Sequence, residues 1–231
     1  MGISHSLRVL AAMAQVTVPT VVDFARGGVT RHDVDERTRW FGRRVVEVLH
    51  IDLTVRGGAD LDPSKAYVYL ANHQSHLDIP VLFASLPSRT LRMLGKAELF
   101  KIPLWGRGLR AAEFIEVDRS NHASAMASID RAKQLVREGV SVFVAPEGTR
   151  SRDGRVGPLK KGGFHLAKDT GAQIVPVAIR GTIDILPRGA RHMQVGRAVT
   201  VDIGTPISSD QPINDLMVQV ADFLREHVER S

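Results

Sequence analysis

The chain has 231 residues, a formal net charge of +6 and a sequence pI of about 10.0. It contains no cysteine, which excludes disulfides, thiolate metal ligands and a cysteine nucleophile. The basic charge favours an anionic partner, namely a phosphorylated substrate, an anionic membrane surface or nucleic acid. With only two Trp and two Tyr, the sequence lacks the aromatic-plus-basic pattern that stacks single-stranded bases, so we expect no nucleic-acid partner.

The first fifty residues predict a pair of short helices. Residues 7–22 are apolar but interrupted by polar residues and by Pro19, so we expect a short helix on the protein or on a membrane surface, not a span or a signal peptide. Gly27–Gly28 should end this helix, and Asp33 or Asp35 could cap a second, whose outer face is rich in arginine. The pair either packs on the core or forms an interfacial anchor.

Strand-like runs alternate with helical ones after this pair. The alternation predicts an α/β fold with a central, mostly parallel or mixed sheet flanked by helices. We therefore divide the chain into the N-terminal helical pair, 1–50, and an α/β domain, 51–231. The expected strands are Ile51–Val55, Ala66–Ala71, Phe114–Val117, Ser141–Ala145, Ile174–Ile179 and Val199–Ile203, and the expected helices after them are Ile79–Ser85, Ala123–Glu138, Phe164–Thr170 and Ile213–Val228.

A histidine and a carboxylate follow the second expected strand. His73 and Asp78 are five residues apart, and Pro80 favours a helix that begins near Asp78 and leaves His73 on the loop before it. A carboxylate that orients an imidazole is the minimal unit of general-base catalysis. Alternatively, Asp78 only caps the helix. A zinc site that includes His76 is disfavoured, because no further ligand stands at the expected spacing, and we expect no metal.

Two other strand ends carry residues suited to binding an anion. The strand near residue 145 breaks at Pro146 and is followed by Glu147–Arg150, a carboxylate, a glycine, a hydroxyl and a guanidinium in succession. Arg119 ends another apolar strand, where it could bind a phosphate or form a surface pair with Asp118. Pro176 lies inside a strand-like run, which suggests an edge strand, a bulge or a bend that shapes a pocket wall without chemistry of its own.

Taken in order, these segments resemble the glycerolipid acyltransferase family, in particular the 1-acylglycerol-3-phosphate (lysophosphatidate) acyltransferases. The resemblance covers about residues 65–182. The segments that carry it are Asn72-His73 with Asp78, Val117-Asp118-Arg119 with Gly95-Lys96 upstream, Pro146 to Ser151 without a break, and Val175-Pro176-Val177.

The resemblance implies an O-acyltransferase of phospholipid biosynthesis. The fatty acyl group would pass from an acyl thioester, acyl-CoA or acyl-carrier protein, to the free hydroxyl of 1-acylglycerol 3-phosphate, giving phosphatidic acid with no further cofactor. His73 would be the general base and Asp78 would orient it. The residues expected to bind substrate are Asn72, Lys96, Arg119, Glu147, Gly148, Thr149 and Arg150.

The motifs do not determine which molecule accepts the acyl group or where in the cell the protein acts. Glycerol 3-phosphate, another lysophospholipid or a glycolipid would suit the same residues, and an inactive membrane-surface binding protein is a rival of another class. Because long-chain substrates reside in bilayers, we expect a peripheral or monotopic protein on the cytoplasmic face of a membrane.

Overall fold

The computed structural model describes residues 2–118, 122–190 and 192–229. The helices are α1 Gly2–Ala25, α2 Arg31–Val48, α3 Asp78–Ser85, α4 Ala97–Phe100, α5 Trp105–Ala111, α6 His122–Arg137, α7 Gly162–Thr170, α8 Thr182–Ile185 and α9 Ile213–Val228. The strands are β1 Asp52–Gly57, β2 Tyr67–Ala71, β3 Leu91–Lys96, β4 Ile115–Val117, β5 Ser141–Val144, β6 Gln173–Arg180 and β7 Ala198–Ile203.

The described strands form one sheet in the order β1-β7-β6-β2-β5-β3-β4. Every neighbouring pair is parallel except β6 and β7, which are antiparallel. The predicted mixed, mostly parallel sheet is therefore confirmed. β2 lies at its centre, where Val68 pairs with Val142 of β5 and with Ile174 of β6.

Helices cover both faces of this sheet, as the alternating pattern predicted. Successive side chains of a strand point to opposite faces, so Tyr67 and Tyr69 join one apolar core while Val68 and Leu70 join the other. The first core also takes residues of α1, α2 and α3, and the second takes residues of α6, α7 and α9. α2 thus packs into the same core as the sheet. The division of the chain into a helical pair, 1–50, and an α/β domain, 51–231, stays a prediction.

The sequence analysis missed β3. Its apolar run is broken by Arg92, whose side chain is fully buried and forms an ion pair with Asp35 of α2. A charged residue in a short run hides the strand pattern, because it is tolerated there only with a partner that is distant in sequence. The short helices α4, α5 and α8 were likewise not predicted.

Pro176 lies in an interior strand, so of the three alternatives, an edge strand, a bulge or a bend, the edge strand is wrong. β6 pairs with β2 on one side and with β7 on the other, but the β7 pairing ends at Val177 opposite Ile203. Pro176 falls just beyond this last pair, and its carbonyl oxygen still accepts a hydrogen bond from Gly204 N at 2.9 Å. A proline is tolerated here because the neighbouring ladder stops before it.

The N-terminal helices are longer than expected and are capped differently. α1 has 24 residues and continues through Pro19, and Ser4–Ala25 is long and apolar enough to cross a membrane by length and composition alone. The interrupted apolar run therefore did not exclude a span. α2 is capped by Thr30, which forms a capping box with Asp33, so neither predicted aspartate is the N-cap.

Candidate active site

The segments that carry the predicted site residues meet at one edge of the sheet. β6, β2 and β5 are adjacent and parallel, so the chain leaves all three at the same end. In such sheets ligands bind beyond the carboxyl ends of the strands. The loops that follow these strands begin at Asn72, Ala145 and Gly181.

His73 and Asp78 form the predicted pair. α3 begins at Asp78, and His73 lies on the loop between β2 and α3, as expected from Pro80. The distance from His73 Nδ1 to Asp78 Oδ2 is 2.7 Å. Since the carboxylate fixes Nδ1 as the protonated nitrogen, Nε2 is the nitrogen that can accept a proton. The imidazole stays 17% exposed, which leaves it accessible to a substrate, while Asp78 is fully buried.

Asp78 also holds the loop around it. Its Oδ2 accepts hydrogen bonds from Gln74 N at 2.7 Å and Ser75 N at 3.0 Å, and its Oδ1 accepts one from the hydroxyl of Thr182. A buried carboxylate that accepts hydrogen bonds from several donors is fixed in position. Asp78 is thus more than a helix cap, since it orients His73 and closes the turn that carries it.

Thr182 was missed in the sequence. It begins α8 directly after β6 and is fully buried. The expectation that the Val-Pro-Val segment carries no chemistry overlooked the residues that follow it. The signal was available, because Gly181 and Thr182 stand at the end of a strand, where the same reasoning had located the other site residues.

The side chain of Asn72 bonds to the backbone of β6. Its side chain is buried, its Nδ2 donates to Ile179 O at 2.8 Å, and its Oδ1 accepts from Ile179 N at 2.7 Å. These two bonds take the place of one rung of the ladder between β2 and β6. The Asn72 side chain therefore joins the ends of β2 and β6, and the expected substrate contact stays a prediction.

Glu147 is also engaged with the protein backbone. Its Oε1 accepts from His73 N and its Oε2 from Gly157 N, both at 2.8 Å. Burial raises the pKa of the Glu147 carboxyl, and the two backbone donors oppose that shift. A further bond of 2.7 Å runs from Ser151 N to His73 O. The loop after β5 is thereby fastened to the loop that carries His73.

The turn at Gly148 lies against a cationic side chain, that of Lys160. Gly148 has a φ of +71°, which favours glycine, and its amide donates to Ala145 O at 3.0 Å, so that amide is occupied within the turn. The side chain of Lys160 lies so close that a Cβ on Gly148 would be 2.9 Å from Lys160 Nζ. Thr149 is exposed on the same turn.

Arg150 lies close to the pair formed by His73 and Asp78. Among the described residues no carboxylate forms an ion pair with it. Burial lowers the pKa of Arg150, the positive charge of Arg188 lowers it further, and Asp78 opposes both effects. The pKa of His76 is lowered by partial burial and by the charges of Arg150 and His73, which favours a neutral imidazole. This corner of the site thus has a positive potential suited to an anion.

Lys96 lies at the margin of the site. Lys96 ends β3, beside β5 at the same sheet edge, but its Nζ is 2.8 Å from Glu98 Oε1 and its side chain is 60% exposed. Arg119 lies outside the described residues, directly after the segment that ends at 118. The described part of the chain contains no group of three or more His, Cys, Asp or Glu placed to hold a metal ion.

A carboxylate-held imidazole beside a positive potential is an arrangement that can activate a hydroxyl next to an anion. A family model described as Acyltransferase matches residues 52–180, which is more than half of the chain. The chain belongs to the acyltransferase family, and the resemblance drawn from its motifs is confirmed.

Curated relatives and a solved structure agree with this assignment. The chloroplastic 1-acyl-sn-glycerol-3-phosphate acyltransferase of Brassica napus is 39% identical over 140 residues, which cover 61% of this chain and 40% of that protein. The 1-acyl-sn-glycerol-3-phosphate acyltransferase alpha of Homo sapiens is 32% identical over 176 residues, which cover 76% of this chain and 62% of that protein. The chain thus spans about two fifths to three fifths of these relatives. The crystal structure of the 1-acyl-sn-glycerophosphate (LPA) acyltransferase PlsC of Thermotoga maritima matches this chain with a TM-score of 0.81 and 25% sequence identity. The match covers 97% of this chain and 96% of the PlsC chain.

Proposed function

We propose that this protein transfers a fatty acyl group from an acyl thioester to the free hydroxyl of 1-acylglycerol 3-phosphate. The observation that carries the proposal is a carboxylate-held imidazole, His73 on Asp78, next to Arg150, which has no ion-pair partner among the described residues. The curated relatives that the chain matches carry the name of this activity, which supports the same substrate class.

The proposed chemistry is a direct transfer without a covalent enzyme intermediate. His73 Nε2 takes the proton of the acceptor hydroxyl as its oxygen forms a bond to the thioester carbonyl carbon. The tetrahedral intermediate then collapses, the carbon–sulfur bond breaks, and the imidazolium returns the proton to the leaving thiolate. Asp78 stabilises the imidazolium and holds its tautomer.

The acceptor phosphate would lie beside Arg150. A guanidinium binds a phosphate through two parallel charge-assisted hydrogen bonds, and Arg150 has no competing ion pair among the described residues. Asn72 and Glu147 are committed to the backbone, so we assign them to the support of the His73 loop and leave direct substrate contact to Thr149 and Arg150.

The test is thiol release from acyl-CoA with and without lysophosphatidate. We expect release that depends on the acceptor, and a loss of at least about 10²-fold in His73→Ala, since general-base catalysis contributes about 10²–10⁴-fold. Arg150→Ala should mainly raise KM for lysophosphatidate. His165→Ala, on the exposed side of α7, is the matched control. Acceptor-independent release, or normal turnover in His73→Ala, would refute the proposal.

We also propose that α1 binds a membrane surface. Val9 and Ala12 are buried in the core, and Thr17 contacts Gly108 of α5, so one side of α1 is docked on the protein. Its outer side exposes Leu7, Leu10, Val18, Val22 and Phe24. A helix docked along one side and apolar along the other is suited to the interface of a bilayer.

Sedimentation with liposomes tests this anchor. We expect the full chain to sediment with anionic vesicles and the double variant Leu10→Ser/Phe24→Ser to remain largely in the supernatant with an unchanged melting temperature. Val218→Ser, an exposed apolar residue on α9, is the control. Equal sedimentation of the two variants would refute the assignment. We also propose that the protein acts on the cytoplasmic face of a membrane. The acyl donor is either acyl-CoA or acyl-carrier protein, and the thiol-release assay run with each donor distinguishes them.

A further inference from the structure

Arg188 lies in a segment that is fastened to the catalytic loop. The chain leaves β6, forms α8 and then reaches Arg188, which follows Pro187. At the start of this segment the hydroxyl of Thr182 donates to Asp78, and near its end Leu186 O accepts from Ser75 Oγ at 2.8 Å. Arg188 is therefore two residues from a direct bond to the turn between His73 and Asp78.

Arg150 approaches the same turn from the other side. Its neighbour in sequence, Ser151, donates its amide to His73 O at 2.7 Å. The two arginines thus belong to segments that are bonded to one loop of six residues, His73 to Asp78. The guanidinium groups are close enough for the charge of Arg188 to lower the pKa of Arg150.

Two positive charges held near each other repel, so each raises the electrostatic free energy of the other. Arg188 is exposed, and among the residues described no carboxylate forms an ion pair with Arg188 or with Arg150. Arg31, in contrast, pairs with Glu113 and Glu138. A phosphate dianion between the two guanidinium groups would remove their repulsion and satisfy both.

We propose that Arg188 and Arg150 bind the same phosphate group of the substrate, and that Arg188 thereby selects for phosphorylated acceptors. This inference rests on the proposed function and extends it to a residue outside the four sequence motifs. The same chemistry would also suit a phosphate of the acyl donor, so the experiment has to separate the two substrates.

The first measurement compares kcat/KM for lysophosphatidate and for monoacylglycerol, which lacks the phosphate. We expect Arg188→Ala to lower kcat/KM for lysophosphatidate by about 10–100-fold, the range of one lost charge-assisted hydrogen bond or bidentate pair, and to leave the value for monoacylglycerol unchanged. KM for acyl-CoA should not change. Arg188→Lys should restore only part of the loss, because lysine lacks the planar fork. Arg225→Ala on the exposed side of α9 is the charge-matched control.

The double variant Arg150→Ala/Arg188→Ala tests whether the two residues share one group. If they do, the combined loss is not the product of the two single losses. An Arg188→Ala variant with the kinetics of Arg225→Ala overturns the inference and leaves the proposed function standing. A rise in KM for acyl-CoA alone also overturns it, since the phosphate would then be the donor's.

If the wild type shows no acceptor-dependent thiol release, the proposed function fails, and binding of inorganic phosphate by calorimetry then decides the inference. Weaker phosphate binding in both Arg150→Ala and Arg188→Ala, but not in Arg225→Ala, supports a shared anion site. Equal binding in all of these proteins refutes it.

Discussion

Asp78→Asn should separate the catalytic role of Asp78 from its structural role. Asparagine keeps the shape of the side chain, and its amide oxygen can still accept from Gln74 N and Ser75 N, so the loop stays closed. The negative charge that stabilises the His73 imidazolium is lost. In Ser-His-Asp triads the same change lowers kcat by about 10⁴-fold, so we expect a loss of about 10³–10⁴-fold with a melting temperature within a few degrees of the wild type.

Asp78→Ala should differ, because it leaves two buried backbone N–H groups without an acceptor. Each such group costs about 1–3 kcal/mol, so the free energy of unfolding should fall by about 2–6 kcal/mol. Urea unfolding followed by circular dichroism measures stability, and thiol release measures turnover. Asp222→Asn, exposed on α9, is the control for the charge change. Near-normal turnover of Asp78→Asn would refute the catalytic role, and full stability of Asp78→Ala would refute the hydrogen-bond argument.

Three further outcomes follow from the buried charges. Asp35→Ala should cost about 3–5 kcal/mol in urea unfolding, because it removes the hydrogen-bonded partner of the fully buried Arg92 guanidinium and leaves it only Glu113, at 3.8 Å, and a loss below about 1 kcal/mol would contradict this. Arg31 lowers the pKa of Glu113, so the stability that Arg31→Ala removes should be present above pH of about 5 and vanish as the pH falls below the unfolded value near 4.3; a pH-independent difference would contradict the pairing. Glu147→Gln should lower kcat at least about 10-fold with little change in acceptor KM, because the two backbone donors bond different carboxylate oxygens and the amide nitrogen that replaces one of them cannot accept; a raised KM alone would favour substrate contact instead.

The fold was largely predictable because its signals are local. Runs such as Tyr67–Ala71 are short, apolar and rich in aromatic or branched residues, and they alternate with helical periods, so most strands and long helices were found. β3 was lost because Arg92 interrupts its pattern, and the partner that makes this charge tolerable, Asp35, is 57 residues away. Nothing in the local sequence reveals such a pair.

The site was predictable as a set of residue types but not as a set of contacts. The spacing of His73 and Asp78, with Pro80 after them, was enough to infer their hydrogen bond. The partner of Asn72 is Ile179, 107 residues away, and a polar residue at a strand end looks the same whether it binds a ligand or a neighbouring strand. Two of the residues expected to bind substrate, Asn72 and Glu147, are bonded to backbone groups, and Arg188 lies outside every motif.

These long-range bonds explain why separate motifs form one site. The loop that carries His73 is bonded to the segment after β5 through Glu147 and Ser151, and to the segment after β6 through Thr182 and Leu186. A general base must keep its geometry within a fraction of an ångström, and a loop alone does not provide that. The polar residues around His73 are therefore divided between two tasks. Those that are buried and bonded to backbone groups hold His73 in place, and the arginines without carboxylate partners among the described residues are available for the anion that the proposed function requires.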